Sequence, residues 1–171
     1  GKGPDYELFE NIKNKFGKLN IIAEDLGYIT PEVASLLEKC DFPGMEILEF
    51  GFDPYGDSRY APHNHVSNCV CYPGTHDNET LKQWFSNLNN DVLSYVLDYL
   101  GIDDINKGPI SMIRACLASK SDYAIIMYSD WLELDKEARF NEPNTASGNW
   151  IYRFTKDDFN DAYKLGYDRV G

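Results

Sequence analysis

The chain has 171 residues, 43% of them hydrophobic, and 28 acidic against 16 basic side chains leave a formal charge of −12. This is the composition of a folded chain, long enough for a single domain over residues 1–171 with a sizeable core. Acids spread along the whole sequence repel phosphate backbones and anionic lipid surfaces, which argues against nucleic acid and membrane partners.

From Tyr6 to Phe16, Leu8, Phe9, Ile12 and Phe16 recur at helical spacing and Gly17 ends the run. Leu19 to Ala23 reads as a short buried strand leading into Glu24-Asp25-Leu26-Gly27. Thr30-Pro31 is a helix start, a capping side chain followed by proline at the first position. Pro43-Gly44 makes a turn, Met45 to Phe52 a second strand, and Asp53 to Pro62 a loop. A third strand, Asn68 to Tyr72, leads into Pro73-Gly74-Thr75-His76-Asp77-Asn78. Helices are expected from Glu79 to Leu88, Asp91 to Leu100 and Ile110 to Ala118, and a fourth strand from Tyr123 to Tyr128. The loop from Phe140 to Asn149, a strand-like Trp150 to Phe154 and a polar helix starting near Thr155 to Asp158 follow. Strands alternating with helices predict an α/β fold with a parallel sheet covered on both faces.

Cys40, Cys69, Cys71 and Cys116 lack C-x-x-C spacing and fit buried free thiols. No stretch nears the roughly 20 apolar residues of a spanning helix, and no leader pattern opens the sequence, so the cytoplasm is the expected compartment. His63-Asn64-His65 has the spacing of a metal pair, but no partner cluster stands at ligand spacing and no metal is expected. Trp84, Trp131 and Trp150 lie in apolar segments and are expected in the core rather than against a ligand.

In parallel α/β architectures, polar residues at the carboxyl ends of strands face the site. Three predicted strands end this way, in Glu24-Asp25, in Asp53 and in His76-Asp77-Asn78. Carboxylates on neighbouring strand ends suit acid and base work on a glycosidic bond. The competing reading makes Asp77-Asn78 a helix cap and pairs Glu24 with a lysine.

Four segments carry a family resemblance: Ile21-Ile22-Ala23-Glu24-Asp25-Leu26-Gly27; Pro43-Gly44-Met45 leading to Leu48-Glu49-Phe50; Gly74-Thr75-His76-Asp77-Asn78; and Glu137-Ala138-Arg139-Phe140-Asn141-Glu142-Pro143 with Gly148-Asn149-Trp150. In this order and with these gaps the sequence resembles the amylomaltases, the 4-α-glucanotransferases of glycoside hydrolase family 77. Pro73, Ser129 and Phe140 stand where the family commonly has threonine, glutamine and methionine. The resemblance implies the C-terminal half of a TIM (β/α)8 barrel, four parallel strands with covering helices, numbered five to eight in the whole barrel. It implies transfer of α-1,4-glucan segments between maltooligosaccharides, with Glu24 as general acid/base. Asp77 is then the carboxylate that binds the reacting sugar's hydroxyls and stabilises the transition state, and His76 holds the same ring. Asp25, Asp53, Phe50 and Asn141 are implied as further sugar contacts.

The family nucleophile is an aspartate upstream of the acid/base, at the end of the fourth strand. Only 23 residues precede Glu24, and their acids, Asp5, Glu7 and Glu10, lie in or beside the first helix. The resemblance therefore places the nucleophile, and the N-terminal half of the barrel as a partner, outside this chain. It implies no cofactor, because carboxylates suffice for proton transfer and covalent sugar chemistry. Two alternatives stay open at this point, a glucan-binding barrel fragment without chemistry and a related α-glucan hydrolase.

Overall fold

The computed structural model describes residues 3–170. Three parallel strands, β1 (Gly44–Ile47), β2 (Cys69–Tyr72) and β3 (Tyr123–Ala124), lie side by side in the order β1-β2-β3. Gly44 pairs with Cys69 and Ile47 with Tyr72, while Val70 pairs with Tyr123. Parallel neighbours need crossovers, and the one between β2 and β3 is built of α3 (Leu81–Asn87), α4 (Asn90–Leu100) and α5 (Gly108–Leu117).

These helices start where the sequence supplies caps. Thr80 accepts from Gln83 N at 3.3 Å, and Asn89 accepts from Val92 N at 3.0 Å. Gly101 closes α4 in the left-handed conformation that a side chain would strain, at φ 66°. Their apolar faces meet β2 in a core of Leu48, Phe52, Leu81, Trp84, Phe85, Val96, Met112 and Ile113. Each such side chain removed from water contributes about 1.5–3 kcal/mol, so most of the hydrophobic stabilisation sits in this part of the chain. By contrast, α1 (Asp5–Phe16) and α2 (Pro31–Cys40) bury no residue fully. A short α6 (Tyr128–Trp131) and α7 (Lys156–Val170) complete the described elements.

The expected α/β class with a parallel sheet is present, with three strands rather than four among the described residues. Among the described residues Leu19 to Ala23 forms no ladder, and one main-chain bond, Ala23 N to Pro43 O at 2.9 Å, ties it to the residue before β1. Leu19 and Ile22 stay exposed, so little burial holds the segment in a strand's register. The second strand is shorter than expected because Leu48–Phe50 winds into a 3-10 turn. The last expected strand ends at Ala124, although Ile125 N still donates to Cys71 O at 2.9 Å. Trp150 to Phe154 is not a strand either, and Tyr152 and Phe154 pack against Phe140 instead.

All four cysteines are free, with Cys69, Cys71 and Cys116 buried and Cys40 partly so. Among the described residues no helix is long and apolar enough to cross a membrane.

Candidate active site

The turn that follows β2 is closed by its own side chains. Asn78 Oδ1 accepts from Thr75 N at 2.9 Å and from the Thr75 hydroxyl at 2.7 Å, while Asp77 N donates to Thr75 Oγ1 at 3.3 Å. Beneath it, Glu49 N donates to Pro73 O at 3.1 Å. The cap of α3 is Thr80, so Asp77 is not spent on a helix N-terminus. Its carboxylate is half-exposed and accepts from Asn141 Nδ2 at 2.6 Å, with His76 Nε2 at 3.4 Å. Asn141 N in turn donates to His76 O at 3.0 Å. The structure thus brings together three of the sequence-derived site residues, His76, Asp77 and Asn141, from segments 64 residues apart. A carboxylate, an amide and an imidazole on one rim can bind vicinal sugar hydroxyls, each acting as donor or acceptor in a fixed direction.

Beside this rim stands Trp150, which the sequence places in the core. Its indole is 52% exposed and lies 5.2 Å, centroid to centroid, from the His76 ring. The backbone there has φ 62°, which a bulky residue adopts only under restraint. Trp150 N donates to Phe140 O at 2.7 Å and Arg153 donates to the Trp150 carbonyl at 2.8 Å, which supplies that restraint. The signal was in the residues before it, since Gly148-Asn149 is turn chemistry that leads straight into Trp150. Trp84, as expected, is buried, and Trp131 is partly buried against the core.

A family model described as 4-alpha-glucanotransferase, for glycoside hydrolase family 77, matches residues 1–158. The chain belongs to this family. A 4-alpha-glucanotransferase of Streptococcus pneumoniae is 43% identical over 166 residues, covering 96% of this chain and 33% of that protein. The chloroplastic/amyloplastic 4-alpha-glucanotransferase of Arabidopsis thaliana is 40% identical, covering 98% of this chain and 29% of its own length. Among solved structures, an amylomaltase from Streptococcus agalactiae in complex with acarbose superposes with a TM-score of 0.88 at 38% identity, covering 99% of this chain and 35% of that one. The chain spans about a third of the length of the curated relatives it matches.

The other residues that the sequence suggests for the site lie on other elements. Glu24 is exposed after the Leu19–Ala23 segment, and among the described residues no hydrogen bond or ion pair holds its carboxylate. Asp25 is fixed instead. Its Oδ1 accepts from Met45 N at 2.8 Å, at the start of β1, and Arg59 Nη2 donates to its carbonyl at 3.1 Å and to Oδ2 at 3.3 Å. A Cβ on Gly44 would come within 2.7 Å of that carboxylate, so the close approach needs glycine there. Arg59 also lies over Tyr60, 4.5 Å from the ring centroid, and Tyr60 meets the exposed Phe50 edge-on at 5.5 Å. Asp53 is exposed and accepts from Tyr55 N at 2.8 Å, closing a turn in its own loop. None of these bonds joins Glu24, Asp25, Asp53 or Phe50 to the His76–Asp77–Asn141 rim.

Below the rim the interior is acidic. Glu49 is partly buried, with Oε1 shut away from solvent and lacking a hydrogen-bond partner among the described residues, and a Cβ on Gly74 would meet that oxygen at 2.7 Å. Burial pushes the Glu49 carboxyl well above the usual carboxylate range, the nearby Asp130 and Glu79 add to the rise, and Arg139 opposes it. Burial likewise pushes Asp130 up to about 7, although a bond from Leu81 N at 2.9 Å pulls the other way. Arg139 is the site-bordering residue that the sequence reading left unassigned. Its Nε donates to Asn141 O at 3.0 Å and its Nη2 to Asp77 O at 2.9 Å. An arginine between Ala138 and Phe140 carried no spacing signal of its own.

The histidine pair divides. His63 is exposed between Tyr99 Oη at 2.8 Å and Asp57 Oδ1 at 3.2 Å, as a surface residue. His65 is buried: its Nε2 donates to Tyr60 O at 2.9 Å, which leaves Nδ1 to accept from Ser121 Oγ at 3.3 Å. Among the described residues no three His, Cys, Asp or Glu side chains form a metal-binding group.

Proposed function

We propose that this chain carries part of the active site of a 4-α-glucanotransferase that moves α-1,4-glucan segments between maltooligosaccharides by a retaining double displacement. The observation that carries this reading is the His76–Asp77–Asn141 rim beyond β2, in a chain whose family is glycoside hydrolase family 77. Asp77 and Asn141 hold hydroxyls of the reacting sugar and His76 the same ring. Their bonds accelerate the step to the extent that they tighten as positive charge develops on the sugar. Glu24, whose carboxylate is free to meet substrate, gives its proton to the departing glycosidic oxygen and then removes one from the acceptor's 4-hydroxyl. Asp25, Asp53 and Phe50 make further contacts, Phe50 as an apolar wall backed by Tyr60.

In this reading the attacking carboxylate comes from outside these 171 residues, together with the N-terminal half of a (β/α)8 barrel. The strands here are then the C-terminal ones, with Leu19–Ala23 completing its ladder against that half. The substrates are α-1,4-glucans, neither nucleic acid nor a membrane surface is a partner, and the compartment is the cytoplasm, as distinct from the plastid named for the Arabidopsis relative.

The test is product analysis. The complete gene product incubated with maltotriose is expected to give glucose and a ladder of longer maltooligosaccharides. Shorter products alone would make it a hydrolase, and unchanged maltotriose would leave a glucan-binding module at most.

A further inference from the structure

His76, Asp77 and Asn141 can act on one sugar only if the turn after β2 and the loop after Ala138 keep a fixed spacing. Two bonds between the segments run through Asn141 itself, from its amide side chain to Asp77 Oδ1 and from its main-chain N to His76 O. The third connection is Arg139, and it bonds main chain on both sides: Nε to the Asn141 carbonyl at 3.0 Å, Nη2 to the Asp77 carbonyl at 2.9 Å. A guanidinium is planar and donates in set directions, so satisfying both carbonyls fixes their separation and tilt. The arginine's own backbone is held as well. It follows a 3-10 turn, Lys136–Ala138, that Asp135 caps through Lys136 N at 2.7 Å, and Ala138 is fully buried. The guanidinium also lies near Glu49 beneath the turn, where it opposes the rise that burial gives that carboxyl.

We propose that Arg139 is a positioning residue of this site: one guanidinium, bonded to the carbonyls of Asp77 and Asn141, sets the spacing at which those two side chains meet a sugar. The inference rests on the glucanotransferase reading of the same rim. Arg139 takes no part in proton transfer and touches no reacting atom. Without it, the Asp77 and Asn141 carbonyls lose their common donor, and only the bonds of Asn141 to Asp77 and to His76 O are left to align the two segments.

The experiment measures kcat and KM for maltotriose disproportionation, and the thermal midpoint, in the complete gene product and its Arg139→Ala and Arg139→Lys variants. A displacement of this kind is expected to lower kcat by about 10²-fold, with KM changed by less than roughly threefold. Arg139→Lys is expected to recover part of the loss, and millimolar guanidinium added to Arg139→Ala a further part, since a free cation of the same shape can refill the two bonds. Unchanged kcat in an active protein overturns the proposal, and so does a loss confined to KM. A loss that follows the unfolded fraction and resists guanidinium also overturns it, because it marks a purely structural arginine. If the wild-type protein makes no transfer products, the glucanotransferase reading itself fails and this inference falls with it.

Discussion

Asp77 has one strong partner, the Asn141 amide at 2.6 Å, and that single bond decides where one of its oxygens faces. Asn141→Ala should leave the fold intact and slow transfer by roughly tenfold or more, the scale of one lost charge-assisted hydrogen bond. The rate of maltotriose disproportionation by the variant checks this. Asp130 gives a prediction of a different kind. Its proton affinity is higher folded than unfolded, so its contribution to stability is complete below pH 4 and is lost as pH rises from there through about 7. With a shift of about three units at 1.36 kcal/mol each, the loss is on the order of 4 kcal/mol. Asp130→Asn, which keeps the acceptor for Leu81 N, should unfold in urea with a flatter pH dependence between pH 4 and 7 than the parent chain. Glu24 lies apart from that rim, but that His76, Asp77 and Asn141 belong together was legible through the family resemblance, which gives each of them a role. Trp150 and Arg139 were not, since the exposure of one and the two carbonyls bonded by the other arise from the path of the loop after Ala138, which spacing along the chain does not encode.

The helices between β2 and β3 were read with errors of two residues or fewer at most ends, because Thr80, Asn89 and Gly101 are local signals that act within one turn. Strand ends are set by non-local pairing, which explains why Leu48–Phe50 and Ile125–Tyr128 left the expected strands and why Leu19–Ala23 formed no ladder. Packing within this helical layer is tight at Gly108, where a Cβ would meet the Phe85 ring at 2.6 Å. Gly108→Ala should therefore lower stability by about 1–3 kcal/mol despite the helix-favouring replacement, measurable as a shift of the urea midpoint at constant slope.

For the molecule as a whole, burial is lopsided. The core lies with α3, α4 and α5, whereas α1 and α2 bury no residue fully, and Ile22, Val66, Tyr123 and Ile125 are all more than 40% exposed. The same chain covers about a third of its relatives' length. Open strand edges and uncovered apolar side chains favour association. The isolated 171-residue chain is expected to self-associate or to unfold readily, and sedimentation velocity across a concentration series checks this, a stable monodisperse monomer being the contrary result. The α/β class was legible from the alternation of elements, but the three-strand count was not, because a sheet's extent depends on neighbours that the alternation does not specify.

The central claim is that Glu24 and Asp77 serve a transfer reaction whose nucleophile lies outside these residues. The most direct measurement incubates maltotriose with the 171-residue chain, the complete gene product and its Glu24→Gln variant side by side, and separates the products by chain length. The account predicts a ladder from the complete protein, and silence from both the isolated chain and Glu24→Gln. Transfer by the isolated chain alone would contradict it, since a carboxylate within these residues, Asp53 or Asp77, would then be the group that attacks the sugar.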